Sequence, residues 1–348
     1  MNFIRESIFS SALRAFSSAF LGIFGALLGL GVFFTILSIT LFSPKDTPPP
    51  SYVFQNQPRA DGTLSNKITD PILLRINVDN VIGTPSCNDD LLNSLILQMD
   101  QQFMPGQLKG ILIYFNTPGG SAIDSYNMYI SLKQLKERLK IPVYGFVDGM
   151  CASGGIFISG ACDKMFSTPP SVLGSVGVRL GPFFNFNTLL NNYGVQALNL
   201  STKNKIHLDY FTPWTSEDQD FFKPLMDGMY NQFLDAVVEG RTPEGMTKDQ
   251  YKAKLVEIGA NIYLSKDAVG YGFTNEPEAT LSSSLSALVQ AAGIQDNNYR
   301  FLKALYIPPF QLSGIQSVLQ SGKVVHELKL AGHEIPDIKN DKLLAMYP

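Results

Sequence analysis

No charged residue occurs in residues 15–42, and this long apolar stretch constrains the chain more than any other feature of its sequence. It exceeds the ~20 residues that an α-helix needs to cross a lipid bilayer. Arg5 and Arg14 precede it, so the positive-inside rule predicts that residues 1–14 form a cytoplasmic tail and that the part after the stretch lies outside the cytoplasm. We therefore expect a transmembrane signal anchor at residues 15–42.

A cleaved signal peptide is the alternative interpretation of this stretch. The apolar region of a signal peptide usually has about 7–15 residues and ends at a small-x-small cleavage site. Here the apolar region is about twice as long, and no such site follows it. Pro44 directly after Ser43 also disfavours cleavage at that point. The sequence thus favours an anchor that stays attached.

The charge balance argues against nucleic acid as a partner. The chain has 27 Lys and Arg against 30 Asp and Glu, with a net charge of −3, whereas nucleic-acid-binding proteins usually carry a basic patch. Its three cysteines, Cys87, Cys151 and Cys162, are an odd number and lack the spacing of metal ligands. We therefore expect no disulfide framework, no metal and no cofactor.

Residues 43–69 form a polar segment whose three consecutive prolines are typical of an extended linker. Beyond this segment, stretches with strand periodicity alternate with stretches of helical periodicity. Strands that alternate with helices form parallel β-α units, so we expect an α/β fold. Thr215 and Asp218 predict a capping box for a later helix whose apolar stripe packs in the core. The predicted strands are residues 72–78, 110–115 and 142–147, and the predicted helices are residues 89–104 and 125–139.

Ser153 is the candidate nucleophile. It lies in the small-residue segment 149–155, directly before the apolar run 156–158. A serine where a turn becomes a helix has an exposed hydroxyl beside free backbone N–H groups, which an acyl-transfer nucleophile needs. A structural Gly/Ser turn is the alternative. Cys151 is a rival nucleophile in principle, although packing as a small buried residue is the favoured interpretation.

A second turn, residues 116–121 with the sequence Asn-Thr-Pro-Gly-Gly-Ser, follows the predicted strand 110–115. Paired glycines allow backbone N–H groups to point into a cleft, as an oxyanion hole requires. Turns of this composition are also structural, so the pattern gains weight from its position one β-α unit before Ser153.

The residues alone leave the general base open. His326 and His333 lie in a C-terminal part whose role is not predicted, which leaves His207 as the only plausible imidazole. Lys203 and Lys205 precede it, and a lysine can act as a base if burial lowers its pKa from ~10.4 towards neutrality. A solvated basic loop is the alternative interpretation of this segment.

Three segments, residues 116–120, 149–155 and 173–178, have an order and spacing that resemble the signal peptide peptidase A family, the S49 serine peptidases. The similarity extends over residues 72–277. The Ser153 segment is its most specific element, since the Pro-Gly-Gly turn also occurs in Clp-type and crotonase-type folds.

The resemblance implies a Ser–Lys dyad in which Ser153 is the nucleophile and Lys205 is the general base. Thr202 replaces a glycine of the family pattern, so Lys203 is the fallback. The other implied site residues are Ser175, which would hydrogen-bond the lysine, and Gly120 and Gly154, whose backbone N–H groups would form the oxyanion hole.

The resemblance also implies an architecture and an assembly. We expect an α/β fold of the ClpP/crotonase type, with repeated β-β-α units behind one N-terminal transmembrane helix. Protomers would form a ring-shaped homo-oligomer in which neighbouring chains contribute the serine and the lysine of one site. The expected parts are a tail at 1–14, the anchor at 15–42, a linker at 43–69, a peptidase domain at 70–280 and a C-terminal extension of no predicted role at 281–348.

The implied activity is that of a serine endopeptidase that degrades remnant signal peptides and other membrane-derived or unfolded peptides. Its expected location is the bacterial inner membrane, with the catalytic domain in the periplasm or otherwise outside the cytoplasm. A catalytically inactive membrane scaffold of the same fold is an alternative. A crotonase-type acyl-CoA enzyme is another, although the export signal argues against it because coenzyme A is a cytoplasmic substrate.

Overall fold

The computed structural model describes residues 16–22, 24–25, 28–33, 51–198, 200, 209–295 and 298–307. The chain divides into two compact units, Met1–Pro49 and Pro50–Pro348. In the first unit the described residues are helical and exposed, and the rings of Phe16, Phe20 and Phe24 stack in succession along the helix. Within the described residues, no helix combines the length and the apolar character needed to cross a membrane.

The second unit is a mixed α/β structure built on one sheet. In the described residues its strands are β1 Ser51–Gln57, β2 Ile72–Asp79, β3 Leu108–Thr117, β4 Val143–Ala152, β5 Lys164–Ser167, β6 Val172–Gly174, β7 Ile262–Leu264 and β8 Arg300–Ile307. Its helices are α1 Asp89–Gln102, α2 Ala122–Leu139, α3 Gly154–Ser159, α4 Asn187–Asn192, α5 Ser216–Arg241, α6 Lys248–Ile258, α7 Ser265–Ala268 and α8 Leu281–Ala291, with a 3-10 helix at Val269–Tyr271.

The sheet is parallel in its centre and antiparallel at its two margins. Its strand order is β1-β8-β2-β3-β4-β6-β7, and β5 pairs with β4 beside this path. Strands β8, β2, β3, β4 and β6 are parallel to their neighbours within this series, whereas β1 is antiparallel to β8 and β7 to β6. Parallel neighbours need a crossover connection, and α1 and α2 provide it between β2, β3 and β4.

Both faces of the sheet are buried, which explains why the central strands are almost continuously apolar. On one face, Ile72, Leu74 and Ile76 of β2 belong to the core that they share with α1, α2, α3, α5 and α6. On the other face, Leu73 and Leu112 pack against α8. The parallel strands therefore lie between two apolar layers, and the turns that follow these strands lie at one edge of the sheet.

The predicted strands and helices between residues 72 and 147 all occur, with boundaries that differ by a few residues. The capping box also forms, because the Thr215 side chain accepts a hydrogen bond from the Asp218 backbone while the Asp218 side chain accepts one from the Thr215 backbone. Three elements lie outside the expected peptidase domain at residues 70–280. Strand β1 lies within the segment expected to be a linker, and α8 and β8 lie within the expected C-terminal extension.

Helix α5 crosses α3 at very short range. A Cβ atom on Gly240 would overlap the carbonyl oxygen of Gly160, and one on Gly160 would lie 2.6 Å from the carbonyl oxygen of Ala236. Next to this crossing, the buried Arg241 donates hydrogen bonds to the Gly272 carbonyl and to the Asn275 side chain. The end of α5 is thereby fixed against the helix that begins after Ser153.

This crossing gives a stability prediction with a matched control in the same helix. Gly240→Ala should lower the free energy of unfolding by about 1–3 kcal/mol, because the new methyl group meets backbone that cannot move aside cheaply. Gly228→Ala should raise it by up to ~1 kcal/mol, since a Cβ at Gly228 meets nothing within 4 Å and alanine favours the helix. Urea denaturation of the two variants measures both effects, and equal midpoints would contradict the close crossing.

Candidate active site

Ser153 lies between the end of β4 and the start of α3, as the N-cap of that helix. Its backbone φ is +50°, a left-handed conformation that is uncommon for a residue other than glycine and that is often found at functional sites. The Ser153 N–H donates to the Gly174 carbonyl at 2.9 Å, and its own carbonyl accepts from the Phe157 N–H at 3.1 Å. Backbone bonds on both sides therefore hold this turn.

Two glycines allow the start of α3 to press against its surroundings. A Cβ on Gly154 would overlap the Ser125 hydroxyl of α2, and a Cβ on Gly155 would lie 2.8 Å from the Thr117 methyl group. Any larger residue at either position would push the helix start away from the turn that follows β3. The glycines of this segment are thus needed for packing.

The turn after β3 is held by the buried side chain of Thr117. Its hydroxyl donates to the Asn80 carbonyl at 2.5 Å and accepts from the Gly119 N–H at 3.1 Å. A Cβ on Gly119 would lie only 2.6 Å from the Cβ of Ser153. Thr117 therefore fixes a turn that lies directly against the candidate nucleophile.

Gly120 continues this turn with its backbone facing Ile82. A Cβ on Gly120 would overlap the Ile82 carbonyl oxygen, which accepts a hydrogen bond from the Ser121 N–H at 2.9 Å. Within the described residues, neither the Gly120 N–H nor the Gly154 N–H has a hydrogen-bond acceptor. Two backbone donors beside a serine are what an oxyanion hole requires.

Ser175 also lies at the site, directly after β6. Its φ is +60°, and its N–H donates to the Asn261 carbonyl at 2.7 Å. Gly174 before it approaches the same carbonyl so closely that a Cβ would overlap it. This backbone contact with the segment before β7 fixes the place of the Ser175 hydroxyl.

A cavity of about 740 Å³ brings these groups together. Four predicted site residues line it: Ser153, Gly120, Gly154 and Ser175. One wall is apolar, with Phe157 of α3 and with Leu225, Met226, Met229 and Phe233 of α5. The cavity can therefore hold an apolar chain beside a serine hydroxyl and two free N–H donors.

The predicted base is not located. Lys205, its fallback Lys203 and the alternative His207 lie in residues 201–208, outside the described residues, as do His326 and His333. The assignment of Lys205 as the general base stays a prediction. Within the described residues, no group of three or more His, Cys, Asp or Glu side chains could hold a metal ion.

Cys151 is a poor candidate nucleophile in this structure. Its side chain is fully buried, and burial raises the pKa of its thiol well above the usual value. Burial likewise raises the pKa of the Cys162 thiol to about 12. Because the thiolate is the reactive form of cysteine, the packing role for Cys151 fits the structure and the rival catalytic role does not.

Sequence reasoning did not assign roles to Thr117, Ser125 and Ile82, which shape the site through contacts. The Asn-Thr-Pro-Gly-Gly pattern contains Thr117 and its partner Gly119, but the other hydrogen bond of the Thr117 hydroxyl is to the distant Asn80. The apolar stripe of α5 was expected to be core, and this is correct only for its second half. Phe221 is 52% exposed and Leu225 is 48% exposed, and Leu225 lines the cavity.

Comparison with known proteins shows a similarity for the central part of the chain. Residues 135–276 match the model of peptidase family S49. Protease 4 of Haemophilus influenzae is 28% identical over 49% of this chain and 26% of its own length. A Na(+)/H(+) antiporter NhaA of Brucella melitensis is 32% identical over 41% of this chain and 19% of its own length. The chain therefore spans about a fifth to a quarter of the length of these two curated relatives.

A solved structure, a mutant of the 1510-N membrane-bound stomatin-specific protease, covers 60% of this chain and 79% of its own chain at 16% identity and a TM-score of 0.35. That score is too low to support an argument about this chain. The family match and the relative named protease 4 support a peptidase.

The position of Thr117 gives a prediction for the site. Thr117→Val keeps the shape of the side chain but leaves the Gly119 N–H and the Asn80 carbonyl without this partner, so the turn should loosen. We expect the rate at which a fluorophosphonate labels Ser153 to fall at least about tenfold, because the turn beside Ser153 loses a well-placed hydrogen bond. Thr117→Ser keeps the hydroxyl and should label nearly as fast as the unmodified chain. Equal rates for the valine and serine variants would contradict the role of the hydroxyl.

Proposed function

We propose that this chain is a membrane-anchored serine endopeptidase with a Ser–Lys dyad. The observation that carries the proposal is the common cavity of the Ser153 hydroxyl and the free N–H groups of Gly120 and Gly154. A nucleophile next to two backbone donors suits acyl transfer, in which negative charge develops on a carbonyl oxygen.

In the proposed mechanism the Ser153 hydroxyl attacks the scissile carbonyl while neutral Lys205 takes its proton. The N–H groups of Gly120 and Gly154 stabilise the oxyanion of the tetrahedral intermediate. The lysine then gives the proton to the leaving amine, and the peptide bond breaks to leave an acyl-enzyme. Water, deprotonated by the same lysine, hydrolyses the ester and restores Ser153. Ser175 would hydrogen-bond the lysine.

The central parallel β-α units support a ClpP/crotonase-type fold for residues 70–280. Consecutive strands β2, β3 and β4 lie side by side, and the turns that follow β3 and β4 form the site. Ligand sites of open parallel sheets commonly lie at this carboxyl edge. The fold assignment is part of the proposal.

The membrane anchor at residues 15–42 is proposed from the sequence, since this stretch is apolar and lacks charge. An anchored site outside the cytoplasm would meet peptides left in the membrane after export. The apolar wall of the cavity, formed by residues such as Met226 and Phe233, suits such peptides. We propose remnant signal peptides and other membrane-derived or unfolded peptides as substrates.

We further propose that protomers form a ring in which one site draws on two chains. Exposed apolar side chains support this part of the proposal, because soluble monomers rarely expose many large apolar groups in one region. The exposed aromatic residues on the segments that flank the site include Phe183, Phe184, Phe186, Tyr210, Phe211 and Phe221. In such a ring, Lys205 of one chain could serve Ser153 of the next.

A labelling experiment distinguishes the peptidase from an inactive scaffold of the same fold. A serine-reactive fluorophosphonate should label the purified full chain, and Ser153→Ala should abolish both labelling and cleavage of unfolded protein. Cys151→Ala should retain most of both, because its thiol is buried and unreactive. A wild-type protein that neither labels nor cleaves would overturn the proposal, and hydrolysis of acyl-CoA without peptide cleavage would favour the crotonase-type alternative.

The lysine assignment makes a separate prediction. Lys205→Ala should lower the acylation rate at least about a hundredfold, the usual contribution of a general base, while Lys203→Ala should retain most of it. A lysine is a base only when neutral, so acylation by the wild type should rise with pH until the lysine is deprotonated. If His207→Ala abolished acylation and Lys205→Ala did not, the mechanism would be Ser–His instead.

A further inference from the structure

We propose that Arg179 binds a carboxylate group of the peptide substrate and so sets the specificity of the site. The inference rests on the proposed peptidase function and adds a charge preference to it. The carboxylate comes either from the free C-terminus of the peptide or from an Asp or Glu side chain.

The charge of the cavity points to this role. Among the described residues that line it, Arg179 is the only one with a formal charge, and the others are apolar, glycine, proline or serine. A carboxylate that enters this cavity meets one cation and no described anion, whereas a lysine side chain meets repulsion. Complementary charge of this kind determines specificity more than overall affinity.

The guanidinium of Arg179 is available for a ligand. In the described part of the chain, no carboxylate lies within ion-pair distance of it, although Lys133, Lys136, Arg138 and Lys252 all have such partners. Arg179 is exposed rather than packed into the protein. Arginine offers a planar pair of N–H donors that matches the two oxygens of a carboxylate.

The backbone before Arg179 is held firmly, which limits how far Arg179 can lie from Ser175. Ser175 is bonded to Asn261, Val176 is fully buried, and a Cβ on Gly177 would lie 3.0 Å from the Ala260 methyl group. Four residues can span at most ~14 Å, so the Cα of Arg179 lies within that distance of the Cα of Ser175. An extended peptide covers the same distance in about four residues.

The position of the carboxylate suggests where the substrate comes from. A peptide whose scissile bond lies at Ser153 while its free C-terminus reaches Arg179 in the same cavity is short on that side. Such an end is either the natural C-terminus of a chain or the product of the hydrolysis of another peptide bond. In the second case the reaction that supplies the substrate is an earlier endoproteolytic cleavage, and this site acts on its product.

Matched peptides test the inference with the full-length protein. One apolar peptide series carries either a C-terminal acid or an amide, with the end at increasing distances from the scissile bond. A second series is amidated and carries Glu or Gln at those positions. For the wild type we expect kcat/KM about tenfold higher for the acid than for the amide at the best position, the size of one charge-assisted hydrogen bond. Preference in only the first series identifies the C-terminus as the source, and preference in only the second identifies the side chain.

Variants of Arg179 provide the control. Arg179→Gln should bring the acid-to-amide ratio close to unity, Arg179→Lys should keep part of the preference, and Arg179→Glu should reverse it in favour of the amide. Lys109→Gln removes an exposed charge outside the cavity and should leave the ratio unchanged. Equal cleavage of acid and amide by the wild type would overturn this inference alone, and so would a preference that survives Arg179→Gln. Failure to cleave any peptide would overturn the proposed function and this inference with it.

Discussion

The site depends on one close backbone approach, between the turn after β3 and the start of α3. Gly119 lies so near Ser153 that a single added carbon would come within 2.6 Å of its Cβ, and Gly154 and Gly155 meet α2 and Thr117 in the same manner. Glycine is required at these positions because it has no side chain and therefore allows the two backbone segments to approach each other. This approach sets the free N–H groups of Gly120 and Gly154 beside one hydroxyl, and side chains of ordinary size would separate them.

The central β-α units were predictable because local pattern and tertiary environment agree. Strand β3 is apolar on both faces since helices cover both, so its sequence alone marks it as buried. Strand β1 could not be predicted in the same way. Its second half is polar and it pairs with β8, which lies at the far end of the described chain, so no local signal specifies the pairing.

The sequence indicated candidate residues for the site but not the geometry in which they lie. Small residues around Ser153 and Gly120 indicated a turn with free N–H groups, and those residues do share a cavity. The left-handed backbone of Ser153 and Ser175 has no sequence signal, because serine does not favour it and tertiary contacts impose it. The prediction that the whole apolar stripe of α5 packs in the core was partly wrong for a related reason. Periodicity shows which residues share a helix face, and it does not show whether that face meets the core or a cavity.

The register of β1 has a consequence for how this unit is attached. Ser51 pairs with Ile307 at the carboxyl end of β8, and β8 runs parallel to β2, β3 and β4, whose carboxyl ends carry the site. The polypeptide thus joins the sheet at the edge that carries the candidate site rather than at the opposite one.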